Sequence, residues 1–231
     1  MLLCWLGLFA KAQSNIDIQI DPVFGEEPLR LADKWYVDGH GDTLYVDQFR
    51  FYISDVKLGG DGISCGDSVS HLVDAAEPAS CIIKTGDLRT GTYITISFVI
   101  GVDSVVNTNG ANGGDLDPVN GMYWAWNSGY IMAKLEGHSN VCKTLHHSFT
   151  FHIGGYMPPY SAARHVSIAL PYPLSVTDKK VVIHLKTNIA AWLSGNLDLA
   201  HVNEVMIPCK AACAMADRYM QMFSTAGISY E

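Results

Sequence analysis

Residues 120–137 read NGMYWAWNSGYIMAKLEG and place Trp124 and Trp126 two positions apart. In a strand, residues i and i+2 share a face, so the two indoles would be neighbours, with Met122 and Ser128 in line. Paired indoles can bury a large apolar area in a core. They can equally form a platform for a sugar ring, or an easily oxidised pair. The next stretch, HSNVCKTLHHSFTFH at 138–152, carries four of the nine histidines and one cysteine. Imidazole and thiolate are donors that copper and zinc prefer, although no zinc-finger spacing orders them here. In a strand over 148–153, His152 falls on the polar side with Ser148 and Thr150, opposite Phe149, Phe151 and Ile153. His146 and His147 are adjacent and point apart unless a turn bends them together.

The elements that must position these groups are mostly strands. Ile16–Ile20 alternates strictly. Thr43–Val46 and Phe49–Leu58 are rich in β-formers and separated by a short polar break. Asp61-Gly62 is a turn signal. Cys81–Lys84, Thr92–Ile100, Ser148–Ile153, Arg164–Leu170 and Lys180–Lys186 follow as further strands. Gly129 is placed to make a bulge that re-aims Tyr130. Residues 107–121 form a long Gly/Asn/Asp loop of the kind that is often functional. It lacks the regular oxygen spacing of a calcium loop. One amphipathic helix is expected from Pro208 to Phe223, with Gly227 past its end, and a shorter one over Ile189–Leu193. The pattern predicts an all-β fold: an antiparallel β-sandwich or barrel-like domain with a C-terminal α-helix.

The bulk composition fits that picture. The chain has 231 residues, 48% hydrophobic and only 16% charged, enough to bury a sizeable core. The formal charge of −8 and the absence of a basic cluster argue against a nucleic-acid partner. At the N-terminus a short apolar run, Leu2–Ala10, precedes Ala10-Lys11-Ala12, a small-x-small cleavage pattern. Residues 1–12 therefore read as a signal peptide, too short to span a membrane, and the mature chain as an exported protein in the periplasm or outside the cell. Cys65, Cys81, Cys142, Cys209 and Cys213 then remain, an odd number that gives no tidy disulfide framework. Cys209 and Cys213 share a face of the expected helix, a spacing that suits a metal or merely small buried side chains.

Longer segments carry a resemblance. They are FRFYISDVKL at 49–58, HLVD at 71–74, GTY at 91–93, FVIGVD at 98–103, LDP at 116–118, MYWAWNSGY at 122–130, LEG at 135–137 and FHIGG at 151–155. Together they resemble the methanobactin-associated copper-binding, MbnP-like, protein family over nearly the whole chain after residue 12. The W-x-W…G-Y and H-I-G-G segments are its most specific parts. The resemblance implies one exported β domain, 13–231, holding a single copper ion. It implies imidazole ligands and a kynurenine made from the W-x-W motif by a partner di-haem peroxidase of the MauG or MbnH type. By position, Trp124 and Trp126 are the kynurenine candidates, and His152 matches a family histidine that is a ligand candidate. His138, which follows the W-x-W strand, is the first choice for a second ligand. His71 stands in a family-like segment, and His40 and His146 are further choices. Ser54 occupies a position where copper-binding members often carry histidine.

Kynurenine would supply an aryl amine and a ketone that an indole lacks, donors compatible with low-coordinate Cu(I). No nucleophile elbow, paired-carboxylate motif or phosphate loop is visible, so the sequence reads as a binding protein rather than an enzyme. A different class of function uses the same residues. In it, Trp124, Trp126 and Tyr130 dock a glycan or a protein strand, and the histidines are incidental.

Overall fold

A computed structural model of the protein describes residues 14–60, 63–88, 91–127, 129–175, 180–195 and 197–231. The expected signal peptide, the Asp61-Gly62 turn and the side chain of Cys65 lie outside the described residues. The strands are β1 (Ser14–Phe24), β2 (Glu27–Pro28), β3 (Trp35–Val37), β4 (Thr43–Gly60), β5 (Ile63–Gly66), β6 (His71–Asp74), β7 (Ile82–Leu88), β8 (Thr92–Ile100), β9 (Tyr123–Trp124), β10 (Gly129–Ser139), β11 (Ser148–Gly154), β12 (Arg164–Ser175), β13 (Val181–Asn188), β14 (Glu204–Val205) and β15 (Phe223–Tyr230). Three short helices accompany them: α1 (Ser104–Thr108), α2 (Ile189–Leu193) and α3 (Lys210–Tyr219).

Two sheets face each other. In the smaller, β1 runs parallel to β13 and antiparallel to β7 and β2, and β15 covers the other edge of β13. This parallel pairing departs from the purely antiparallel expectation. Ile16, Val181 and Tyr230 lie side by side at one end, where Lys180 Nζ is 3.2 Å from Asp17 Oδ2 and 2.6 Å from Glu231 Oε2. The larger sheet is built on β4, whose 18 residues run unbroken through the expected polar break. Its pairing with β10 shifts register there, with Asp47 left as the extra residue of β4 opposite Glu136 and Gly137. Arg50 and Phe51 pair with β10 on one side and β6 on the other, so β6 and β10 lie on opposite edges of β4.

Alternating apolar side chains fill the space between the sheets, with Ile16, Ile18 and Ile20 from one and Phe49, Phe51, Phe98 and Leu135 from the other, all buried. Each contributes about 1.5–3 kcal/mol on leaving water. The C-terminal helix is shorter than expected. After Tyr219 the chain tightens at Met220–Met222, and Phe223 opens β15 rather than closing a helix. Its ring meets Phe51 at 5.7 Å and Phe98 at 4.9 Å, edge to face, which ties the two sheets together. Gly227, expected to stop the helix, takes φ +153° inside β15, beside the register shift between His184 and Leu185. Trp192 of α2 closes one end of the core and donates Nε1–H to Met215 O at 3.1 Å.

Candidate functional site

Along β10 the alternation puts Leu135 inside and Lys134, Glu136 and His138 on the outer face. Neighbouring strands add Arg50, Asp74 and His152 to that face. His152 Nε2 lies 2.5 Å from Glu136 Oε1. Lys134 Nζ is 3.9 Å from Glu136 Oε1 and donates to Gly121 O at 2.7 Å. Arg50 Nε is 2.8 Å from Asp74 Oδ2 without hydrogen-bond alignment, and Arg50 Nη1 donates to Asn120 O at 3.0 Å. The loop before β9 thus roofs a line of alternating charges. The hydrogen bond from His152 holds the Glu136 carboxyl below its usual range, against the opposing effect of burial. Burial holds the Lys134 ammonium below its usual range.

The two tryptophans do not share a strand. Trp124 ends β9, residues 125–127 turn, and Ser128 lies outside the described residues. β10 begins at Gly129, which pairs with Trp124, and the bulge expected there appears instead between Ile131 and Ala133. The indoles are neighbours all the same, with ring centroids 5.4 Å apart at 39°. Trp124 is 5% exposed and Trp126 is 65% exposed. The Trp124 ring lies over Gly154, where an added Cβ would stand 2.7 Å from Cζ3 and 2.8 Å from Tyr130 O. Gly154 shares the face of His152, so this indole sits two residues along β11 from the imidazole, about 7 Å. Its Nε1 is buried and has no hydrogen-bond partner among the described residues. Such an orphaned donor costs about 1–3 kcal/mol.

The three candidate histidine ligands are spread over one sheet. His138 pairs with Ser148 and His152 with Lys134, so they stand four residues apart along the strands, about 13 Å. His71, on β6, pairs with Ile53 of β4, three strand spacings and three residues along the strands from His152, about 17 Å. His71 Nε2 is buried 3.5 Å from Asp67 Oδ1 without a hydrogen bond. His138 is held by Asp47 Oδ2 at 3.0 Å and by His146 O at 2.9 Å. A turn does bend His146 and His147 together. Both adopt positive φ, and with His138 and Trp35 they line a cleft of about 490 Å³. His40 contacts Gly195 O at 2.9 Å. Burial pushes the Cys142 thiol up to about 11, which makes it a poor thiolate donor at neutral pH. Cys209 caps α3, its sulfur accepting from Ala212 N at 3.4 Å, while Cys213 Sγ turns to Ser161 O at 3.6 Å. Among the described residues no three His, Cys, Asp or Glu side chains stand together as a ready metal cage.

The model of the MbnP family matches residues 13–208. The chain belongs to the MbnP family. A search of curated proteins finds no match. Among solved structures, MbnP from Methylosinus trichosporium superposes with a TM-score of 0.53 at 11% identity, covering 94% of this chain and 99% of that one. At that identity the likeness to the Methylosinus MbnP shows a common fold.

The copper implied by resemblance to MbnP can be tested against these residues. His152 fits a ligand role. A histidine ligand normally donates its other ring N–H to a carboxylate, and Glu136 accepts in that position, leaving Nδ1 as the donor atom. Trp124 fits through its buried nitrogen without a partner. His138 and His71 do not fit the same ion, because neither comes within bonding reach of His152. Glu136 is the residue that motif reading passed over as a ligand partner. The alternation of K-L-E-G-H over 134–138 puts it on the face of His138, and the β10–β11 register brings that face to His152.

Proposed function

We propose that this protein is an exported copper-binding protein whose site lies between β9, β10 and β11. His152 ligates the metal through Nδ1. Trp124, once converted to kynurenine by a di-haem peroxidase partner, contributes the second donor. The observation that carries this reading is the buried, unpartnered Trp124 Nε1 beside an imidazole fixed by a carboxylate. Copper(I) at such a place would be held at low coordination by nitrogen donors. The chain's own residues do the rest. Glu136 sets the tautomer of His152, Gly154 lets the indole ring approach the strand, and the loop through Asn120 and Gly121 holds Arg50 and Lys134 in place.

The test is native mass spectrometry and peptide mapping of 120–137 on protein exported by its own host grown with copper. One copper per chain and a kynurenine mass at Trp124 are expected. His152→Ala and Trp124→Phe should lose the metal, while His138→Ala and His71→Ala should keep it. Copper retained in His152→Ala, or lost only in His138→Ala, would sink the assignment. Docking of a glycan or protein strand on the tryptophan face is a second reading, favoured by the exposure of Trp126. It predicts a partner lost in Trp126→Ala with copper unaffected.

A further inference from the structure

A cavity of about 560 Å³ opens where β4 kinks after Ser54, facing the loop that leads into β12. It lies within the size range of small-molecule sites, roughly 300–1,000 Å³. Its construction differs from that of the copper region. The β4 pairing with β8 shifts register between Ser54 and Lys57, and Asp55 in that bulge takes φ +51°. A left-handed conformation costs a residue other than glycine about 1–2 kcal/mol, and bulges of this kind often re-aim a side chain. Asp55 Oδ2 meets Lys57 Nζ at 2.7 Å, and Oδ1 is left to accept. Across the cavity, Asp103 Oδ1 caps Val105 N at 2.7 Å, and Oδ2 is likewise left.

Apart from Arg164, the rest of the wall is uncharged. The hydroxyls of Ser68, Ser104 and Tyr156 and the ring of His165 line the cavity and have no hydrogen-bond partner among the described residues. Arg164 also lines it, with four of its five N–H groups going to Asp217 Oδ1, Ser161 O, Ala163 O and Cys213 O. The cavity therefore offers groups that both donate and accept, two acceptor-only carboxylate oxygens, and an apolar wall of Val99 and Pro158. It offers no lysine, and its one arginine already serves a carboxylate and three carbonyls, leaving a single N–H. A ligand matching that pattern carries several adjacent hydroxyls on a compact ring and no negative charge. We propose that this cavity binds a neutral saccharide of one or two rings. The proposal does not depend on copper.

The experiment is saturation-transfer NMR on the intact mature chain with glucose, N-acetylglucosamine, cellobiose and glucose 6-phosphate as probes. At least one neutral sugar should bind. The double variant Tyr156→Phe with His165→Ala should weaken it by about tenfold or more, the loss of one or two hydrogen bonds. Asp55→Asn, which keeps a residue tolerant of positive φ, should weaken it as well. Glucose 6-phosphate should bind at least about tenfold more weakly than glucose, because two carboxylates face its phosphate. Thermal melts confirm that each variant is folded. The proposal is overturned if no neutral sugar binds, or if the phosphorylated sugar binds equally well. It is overturned too if binding survives in the cavity variants and disappears in Trp126→Ala, which would place the sugar on the exposed indole.

Discussion

Gly154 decides how closely Trp124 can lie against β11. A methyl group at that position would press on both the indole ring and Tyr130 O, so Gly154→Ala should cost about 1–3 kcal/mol in urea unfolding and shift the tryptophan emission. The two tryptophans should answer truncation very differently. Trp124→Ala empties a buried site and should cost about 3–5 kcal/mol, whereas Trp126→Ala should stay within about 1 kcal/mol. Glu136 carries a pH dependence. Its carboxyl titrates near 4.3 in the unfolded chain and lower in the fold, where His152 binds it. The stability this supplies is complete above about pH 4.3 and disappears as pH falls through the lower folded value. Glu136→Gln should therefore flatten the acid limb of a stability–pH curve; an unchanged limb would refute the pairing. The polar side of β11 was legible from alternation, so His152 could be placed. Its partner Glu136 was not, because the β10–β11 register is a non-local fact.

Among the elements, those whose own residues alternate were readable. β8 spans Thr92–Ile100 as its pattern of tyrosine, threonine and serine against aliphatics predicts. β15 was not, since FSTAGISY is short of large apolar residues and follows a helix whose periodicity alone runs on to Phe223; pairing with β13 and the pocket between Phe51 and Phe98 make it a strand. The W-x-W segment was misplaced for a related reason. Alternation suggested one strand, but pairing of Gly129 with Trp124 closes a hairpin and lifts Trp126 into its turn. The separation of His71 and His138 from His152 was equally hidden, because it follows from strand order. Deleting residues 223–231 should test the role of β15. It bares the edge of β13 and removes the Phe223 contacts, so the protein should elute as aggregate on size exclusion, whereas a chain lacking only Glu231 should remain monodisperse.

At the scale of the whole molecule, the smaller sheet is assembled from distant parts. Gly25 N donates to Asn188 Oδ1 across 163 residues, and β1 cannot acquire its parallel neighbour until β13 is present. Closing such long loops precedes any gain from packing, so refolding should take milliseconds to seconds or longer. Stopped-flow tryptophan fluorescence would measure it; a phase complete within microseconds would contradict this topology.

The placement of Ile16, Val181 and Tyr230 side by side has a mechanical consequence. The first strand of the smaller sheet begins and the last strand finishes at the same end, two strand spacings apart, about 10 Å. A load applied between the two chain ends would meet the ladder one rung at a time, peeling β1 and β15 away from β13 rather than sliding them past it. Lys180, half-buried and gripping both Asp17 and Glu231, is the first clasp to open. The fold would yield to a small force pulled from its ends while resisting the same force applied across β4, where a long strand paired on both edges must shear.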